Sequence, residues 1–135
     1  MKENTLRVRI GRCIYLLLAV LFALCVTIQI YIAGMAVFDN PVLWKHHTMF
    51  IHIFGFNLPI LMLIAAAIGA MPRWAYWQLF GILISVFLMY FTANIGIGEI
   101  KSLHTVFAFA LFVLSVFIVT KTFKLVFVNG KEETI

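Results

Sequence analysis

The side chains that could carry chemistry in this chain are few, and they are mostly imidazoles and amides. His52 and His104 stand inside long apolar runs, where an ionisable side chain is costly and functional by default. Gln29, Asn57 and Asn94 share those runs, with Tyr31 and Tyr90. His46 and His47 come about one turn before His52 and read as ordinary residues of the membrane border. Intramembrane histidines bind metals or haem, relay protons, or hydrogen-bond across helices. Hydrolysis has no support: there is no Cys-His or Ser-His-Asp constellation and no phosphate-binding glycine loop, and Gly96-Ile97-Gly98 reads as a turn. Apart from the histidines, zinc-type ligand spacing is absent. Asp39 and Glu99 fall between the runs, so no run holds an acidic cation site or proton relay.

The elements that must position these residues are transmembrane helices. Hydrophobic residues make up 64% of the 135-residue chain and charged residues 11%, and mean hydropathy is +1.10. A soluble domain is about 25% charged. A spanning helix needs about 20 apolar residues, and four fit, at about 13–38, 48–71, 74–97 and 102–120. They leave one domain, 1–135, with no room for a soluble catalytic module. Asp39-Asn40-Pro41 ends the first run, Pro72-Arg73 the second, and Gly96, Gly98 and Glu99 the third. Pro59 should kink the second helix. The first run is too long for the core of a cleavable signal peptide. Beyond Lys121, the apolar piece Leu125 to Val128 is too short to span. Cys13 and Cys25 lie on one helix about 18 Å apart, beyond disulfide reach, and read as packing residues. Short connections make sequential helices antiparallel neighbours. The expected fold is all-α, an integral membrane up-down four-helix bundle.

Basic residues set the expected orientation. Lys2, Arg7, Arg9, Arg12, Arg73, Lys121, Lys124 and Lys131 lie on one side, against Lys45 and Lys101 on the other. The positive-inside rule then puts both termini in the cytoplasm, in a multi-pass protein of the plasma membrane. The net charge of +5 belongs to span flanks and meets lipid headgroups, not nucleic acid. Trp44, Trp74 and Trp77 fall near the expected interfaces.

This topology sorts the polar residues by depth. Gln29, Tyr31, His52, Asn57, Tyr90, Asn94 and His104 all fall in the outer half, and the inner half holds little beyond Gln78 and Ser85. The cluster reads as a chamber opening outward. Interhelical hydrogen bonding, at about 0.6 kcal/mol per pair, is the plainer reading for each amide taken singly. In a square up-down bundle helices 2 and 4 are diagonal, with axes roughly 11–14 Å apart. His52 and His104 could then hold an iron porphyrin between them, but are too far apart to share a bare metal ion. Gly55 and Ala108 would leave room for the plane, and Phe50, Phe54, Phe56, Phe107 and Phe109 could line it. Close helix packing accounts for Gly and Ala equally well.

Gln29 with Ala33-Gly34 in helix 1, Trp44, His52 and Gly55 opening helix 2, and Leu103-His104 opening helix 4 form a pattern. It resembles a family of short, largely uncharacterised four-helix bacterial membrane proteins. More loosely, it is similar to the small four-helix membrane b-type cytochromes, in which histidines on different helices ligate haem. The first family commonly has a proline after the helix 4 histidine; Thr105 stands here. The second resemblance implies haem b ligated by histidines; di-haem members need more ligands than His52 and His104 supply, so at most one haem is expected, with these two as axial ligands, Gln29 and Asn94 as supporting donors, and Gly55 beside the ring. The implied activity is electron transfer, with a quinone or small oxidant as redox partner. A homo-oligomer is compatible with the sequence. The competing readings are a cofactor-free interaction or structural protein, and a small metal-handling transporter using His46, His47 and His52.

Overall fold

A backbone in hydrocarbon must satisfy its own hydrogen bonds, and this chain does so as helices. The computed structural model describes residues 6–128. Helix α1 spans Leu6–Phe38, a short 3-10 turn Pro41–Leu43, α2 Trp44–Phe54, α3 Asn57–Ile68, α4 Arg73–Asn94 and α5 Gly98–Phe123. A π-helical turn, Lys124–Val128, continues α5. Among the described residues these elements form four spans, Leu6–Phe38, Pro41–Ile68, Arg73–Asn94 and Gly98–Val128, each long and apolar enough to cross a membrane.

The helices pack as a bundle in cyclic order. α1 lies against the second span on one side and α5 on the other; α4 lies against α3 and α5. The backbones of α1 and α4 do not approach each other, nor do those of the second and fourth spans. The second and fourth spans are therefore diagonal, the arrangement expected from the short connections. Tyr15, Phe22, Met62, Leu79, Ile82, Leu111 and Ile118 are fully buried along the axis, while large apolar side chains such as Leu17, Leu24, Phe80 and Phe117 stay exposed around the outside. That distribution suits a bundle whose solvent is lipid.

Several helix ends differ from the sequence-based limits. α1 starts at Leu6 instead of Cys13 and so includes Arg7, Arg9 and Arg12. Arginine is a good helix former, and the hydrocarbon boundary does not end a helix. α4 stops at Asn94 and α5 begins at Gly98. Leu125 to Val128, expected in a tail, belong to the π-helical turn. Lys2 and Lys131 lie outside the described residues. After α1, the Asn40 side chain accepts a hydrogen bond from the Val42 N–H at 3.0 Å, which starts the turn at Pro41.

The second span is broken where Pro59 requires it. Proline has no N–H and clashes with the carbonyl four residues back, here Gly55. The helix stops at Phe54 and restarts at Asn57. The Asn57 amide donates to the Ile53 carbonyl at 2.7 Å, covering one acceptor at the break. α3 packs on both α1 and α4, whereas α2 packs on α1 and leaves α4. One half of the span closes the bundle and the other half opens it.

At the opposite end, α1 and α3 touch backbone to backbone. A Cβ on Gly11 would lie 2.4 Å from the Gly69 nitrogen, and one on Gly69 would lie 2.7 Å from the Arg12 nitrogen. Arg12 Nε donates to the Gly69 carbonyl at 3.2 Å, a cation at a helix C-terminus. α3 ends in a Schellman pattern, with Met71 N–H bonded to the Ala66 carbonyl and Ala70 N–H to the Ala67 carbonyl. The left-handed position is Ala70, at φ 42°, where glycine is usual. The glycine sits one residue earlier because close approach, not backbone conformation, demands it there. Two neighbouring substitutions should therefore act in opposite directions. Ala70→Gly should stabilise the detergent-solubilised protein by about 1 kcal/mol, and Gly69→Ala should destabilise it by about 1–3 kcal/mol. Both would be read from the midpoint of denaturant unfolding followed by circular dichroism.

Candidate functional site

Where α2 diverges from α4, a cavity of about 300 Å³ opens between the ends of all four spans. Its wall is built from two matched helix faces. α2 contributes His47, Thr48, Ile51 and His52, and α4 contributes Met89, Tyr90, Ala93 and Asn94. Each set follows the spacing i, i+1, i+4, i+5, which is one face of a helix. α1 adds Gln29, and α5 adds His104.

Two imidazoles are held by backbone carbonyls. His47 Nδ1 lies 3.2 Å from the Gln29 carbonyl, and the Gln29 amide donates back to the His47 carbonyl at 2.8 Å. This reciprocal pair joins α1 to α2. His104 Nδ1 lies 3.0 Å from the Met89 carbonyl and 3.4 Å from the Thr92 hydroxyl, joining α5 to α4. A proton on each Nδ1 fits these contacts and leaves both Nε2 atoms as free lone pairs. The two rings are 6.4 Å apart between centres, with planes inclined at 61°. Two imidazoles binding one metal from opposite sides at about 2 Å each have ring centres roughly 6 Å apart, a distance similar to the one seen here.

The rest of the wall is bonded differently. His52 is exposed, and its Nδ1 meets the Tyr90 hydroxyl at 3.1 Å. Asn94 donates to the Tyr90 carbonyl of its own helix at 2.8 Å. Gln29 is only 5% exposed, and its Oε1 is buried with no partner. A buried acceptor without a donor calls for a bound group or water. Among the described residues, no cluster of three or more His, Cys, Asp or Glu side chains could hold a metal ion.

Four of the five residues singled out from the sequence, His52, His104, Gln29 and Asn94, line this one cavity. Gly55 does not; it is buried at the helix break, against Ile51 of the preceding turn. His47, expected at the membrane border, is half-buried and is the imidazole that faces His104. The i, i+4 pairs His47/Ile51 and Thr48/His52 put both histidines on one helix face, a signal present in the sequence. His46, Lys45 and Lys101 are exposed at the same end of the bundle.

The fold and cavity define a small multi-pass membrane protein with a histidine-lined chamber at one end of a four-helix bundle. Residues 29–95, just under half the chain, match the model of a family of unknown function, DUF6220. The match runs from Gln29 through His47, His52, Tyr90 and Asn94, and His104 lies beyond it. No curated protein and no solved structure matches the chain.

The orphaned Gln29 Oε1 yields a sharp expectation. Gln29→Leu removes a bond worth about 0.6 kcal/mol in membranes together with the unpaired acceptor, so the two effects oppose. The unfolding free energy of the ligand-free protein should change by less than about 1 kcal/mol. A loss of several kcal/mol in a denaturant titration would show that Oε1 is engaged in the isolated protein.

Proposed function

We propose that the chain is a b-type haem protein working in electron transfer, with the haem in the chamber and His47 and His104 as its axial ligands. The observation that carries this reading is the pair of half-buried imidazoles, 6.4 Å apart between centres, each with Nδ1 on a backbone carbonyl. The donor set fits the group. A porphyrin supplies four nitrogens of its own and asks the protein for only one or two axial ligands. A bare transition metal usually needs three or four protein ligands, more than two imidazoles provide. When bound, haem would supply reversible one-electron chemistry.

The chain's own groups have definite parts in this reading. In this reading the Gln29 and Met89 carbonyls hold the direction of the two rings and favour a proton on each Nδ1. Gln29 also locks α1 to α2 at the level of His47, so the ligand is held from both its ring and its backbone. His104 belongs to either possible pairing. His52 is the weaker partner for it, because its ring is exposed whereas His47 is half-buried and makes the ring contact with His104. Asn94 and Thr48 line the cavity wall, each donating to a carbonyl of its own helix.

The basic side chains Arg7, Arg9, Arg12, Arg73, Lys121 and Lys124 belong to the starts of α1 and α4 and the end of α5, at the bundle end away from the chamber. By the positive-inside rule that end faces the cytoplasm, with both termini, and the chamber opens to the outer side of a bacterial plasma membrane. The electron partner would be a membrane quinone or a small oxidant.

A second reading is a cofactor-free protein in which the histidines only staple helices. It is favoured by the hydrogen bonds that both Nδ1 atoms already make to backbone carbonyls of neighbouring helices. Reduced-minus-oxidised visible spectra of the detergent-purified protein separate the two. We expect a b-type spectrum that is lost in His47→Ala and His104→Ala and kept in His52→Ala. A protein that stays colourless after haem is added would sink the haem reading and leave the staple.

A further inference from the structure

We infer that the gap between α2 and α4 is a lateral binding site for the headgroup of a lipid-soluble quinone, with His52 and Tyr90 as its polar contacts. The inference deepens the partner assigned in the proposed function, and it does not require that haem be bound.

The gap exists because the break at Gly55 and Phe56 carries α2 away from α4. Aromatic side chains bridge it. Tyr90 of α4 lies 5.3 Å from the His52 ring and stacks on Phe56 at 5.6 Å with planes 12° apart. The neighbouring Ile53, Phe56, Phe87 and Phe91 are all exposed apolar side chains, of the kind that meets lipid around the rest of the bundle. A ligand reaching this rim therefore comes from the bilayer, and a flat ring can extend or replace the Phe56–Tyr90 stack.

The hydrogen-bonding groups suit both states of a quinone. His47 and His104 are tied to backbone carbonyls of neighbouring helices, so turning either one away breaks an interhelical joint. His52 and Tyr90 are bonded side chain to side chain, so both can turn to a ligand without disturbing the backbone. The Tyr90 hydroxyl can donate to a quinone carbonyl, and His52 Nδ1 can accept from a quinol hydroxyl. Behind them, the buried and unpartnered Oε1 of Gln29 lines the same cavity and lacks a donor. A lipid acyl chain would satisfy none of these groups.

The test measures binding of decylubiquinone to the full-length protein in mild detergent by isothermal titration calorimetry, with the visible spectrum recorded on the same samples. Tyr90→Phe and His52→Gln, both conservative in size, should each weaken binding by about tenfold with the helical circular dichroism unchanged. The tailless ring, ubiquinone-0, should bind at least about tenfold more weakly than decylubiquinone. Binding that is absent, that is indifferent to both substitutions, or that is equal for the two quinones overturns the inference. Quinone binding by a protein that stays colourless after haem is added would overturn the haem reading alone, and a haem spectrum without quinone binding would overturn this one alone.

Discussion

Pro59 cannot donate to the Gly55 carbonyl, and the shape of the chamber depends on that missing hydrogen bond. In water a broken helix turn is re-solvated at little cost. In a bilayer the freed carbonyls need partners from the protein. The chain answers locally, with the Asn57 amide on Ile53, and globally, by letting the two halves of the span take different neighbours. α3 stays in the bundle between α1 and α4, while the α2 backbone packs on α1 and meets α4 only through side chains such as His52. A straight second span would close against α4 along its length and leave no room for a cavity.

The same economy of backbone partners positions the histidines. Side chains at a cavity are held well when their own contacts are over-determined. His47 meets that condition through its ring and its carbonyl, both on Gln29. His104 meets it through the Met89 carbonyl, in the last turns of α4. The Met89 carbonyl is shared with the Thr92 hydroxyl, which donates to it at 3.2 Å and to the Leu88 carbonyl at 2.8 Å. His52 and Tyr90 have no such anchorage. The chamber thus has a rigid interior and an adaptable rim.

The opposite end of the bundle is built on another principle. There the helices meet through glycine, with Gly11 and Gly69 letting α1 and α3 approach at backbone distance. Van der Waals contact between small residues is the main attraction available between helices in lipid. Arg12 on the Gly69 carbonyl and Lys121 over the Trp74 ring at 4.7 Å tie the basic side chains to that end. An end closed by glycine contacts and an open end lined by imidazoles give the molecule its polarity.

Much of this was legible in the sequence, because lipid permits so few solutions. Four apolar runs, short connections and Pro59 determined four antiparallel spans, their cyclic order and a kinked second helix. The helical spacing of His52, Tyr90 and Asn94, with Gln29 and His104 at similar depth, was enough to gather them at one end. What the sequence could not decide was rotation and side-chain pairing. An apolar-all-round helix has no polar face to show which residues point inward, so His47 read as a border residue and Gly55 as part of the site. Only packing against α1 turns His47 inward onto Gln29, and only the break at Gly55 buries that glycine away from the cavity. Depth is set by the order of residues along the chain; which imidazole meets which is set by the neighbours each helix finds.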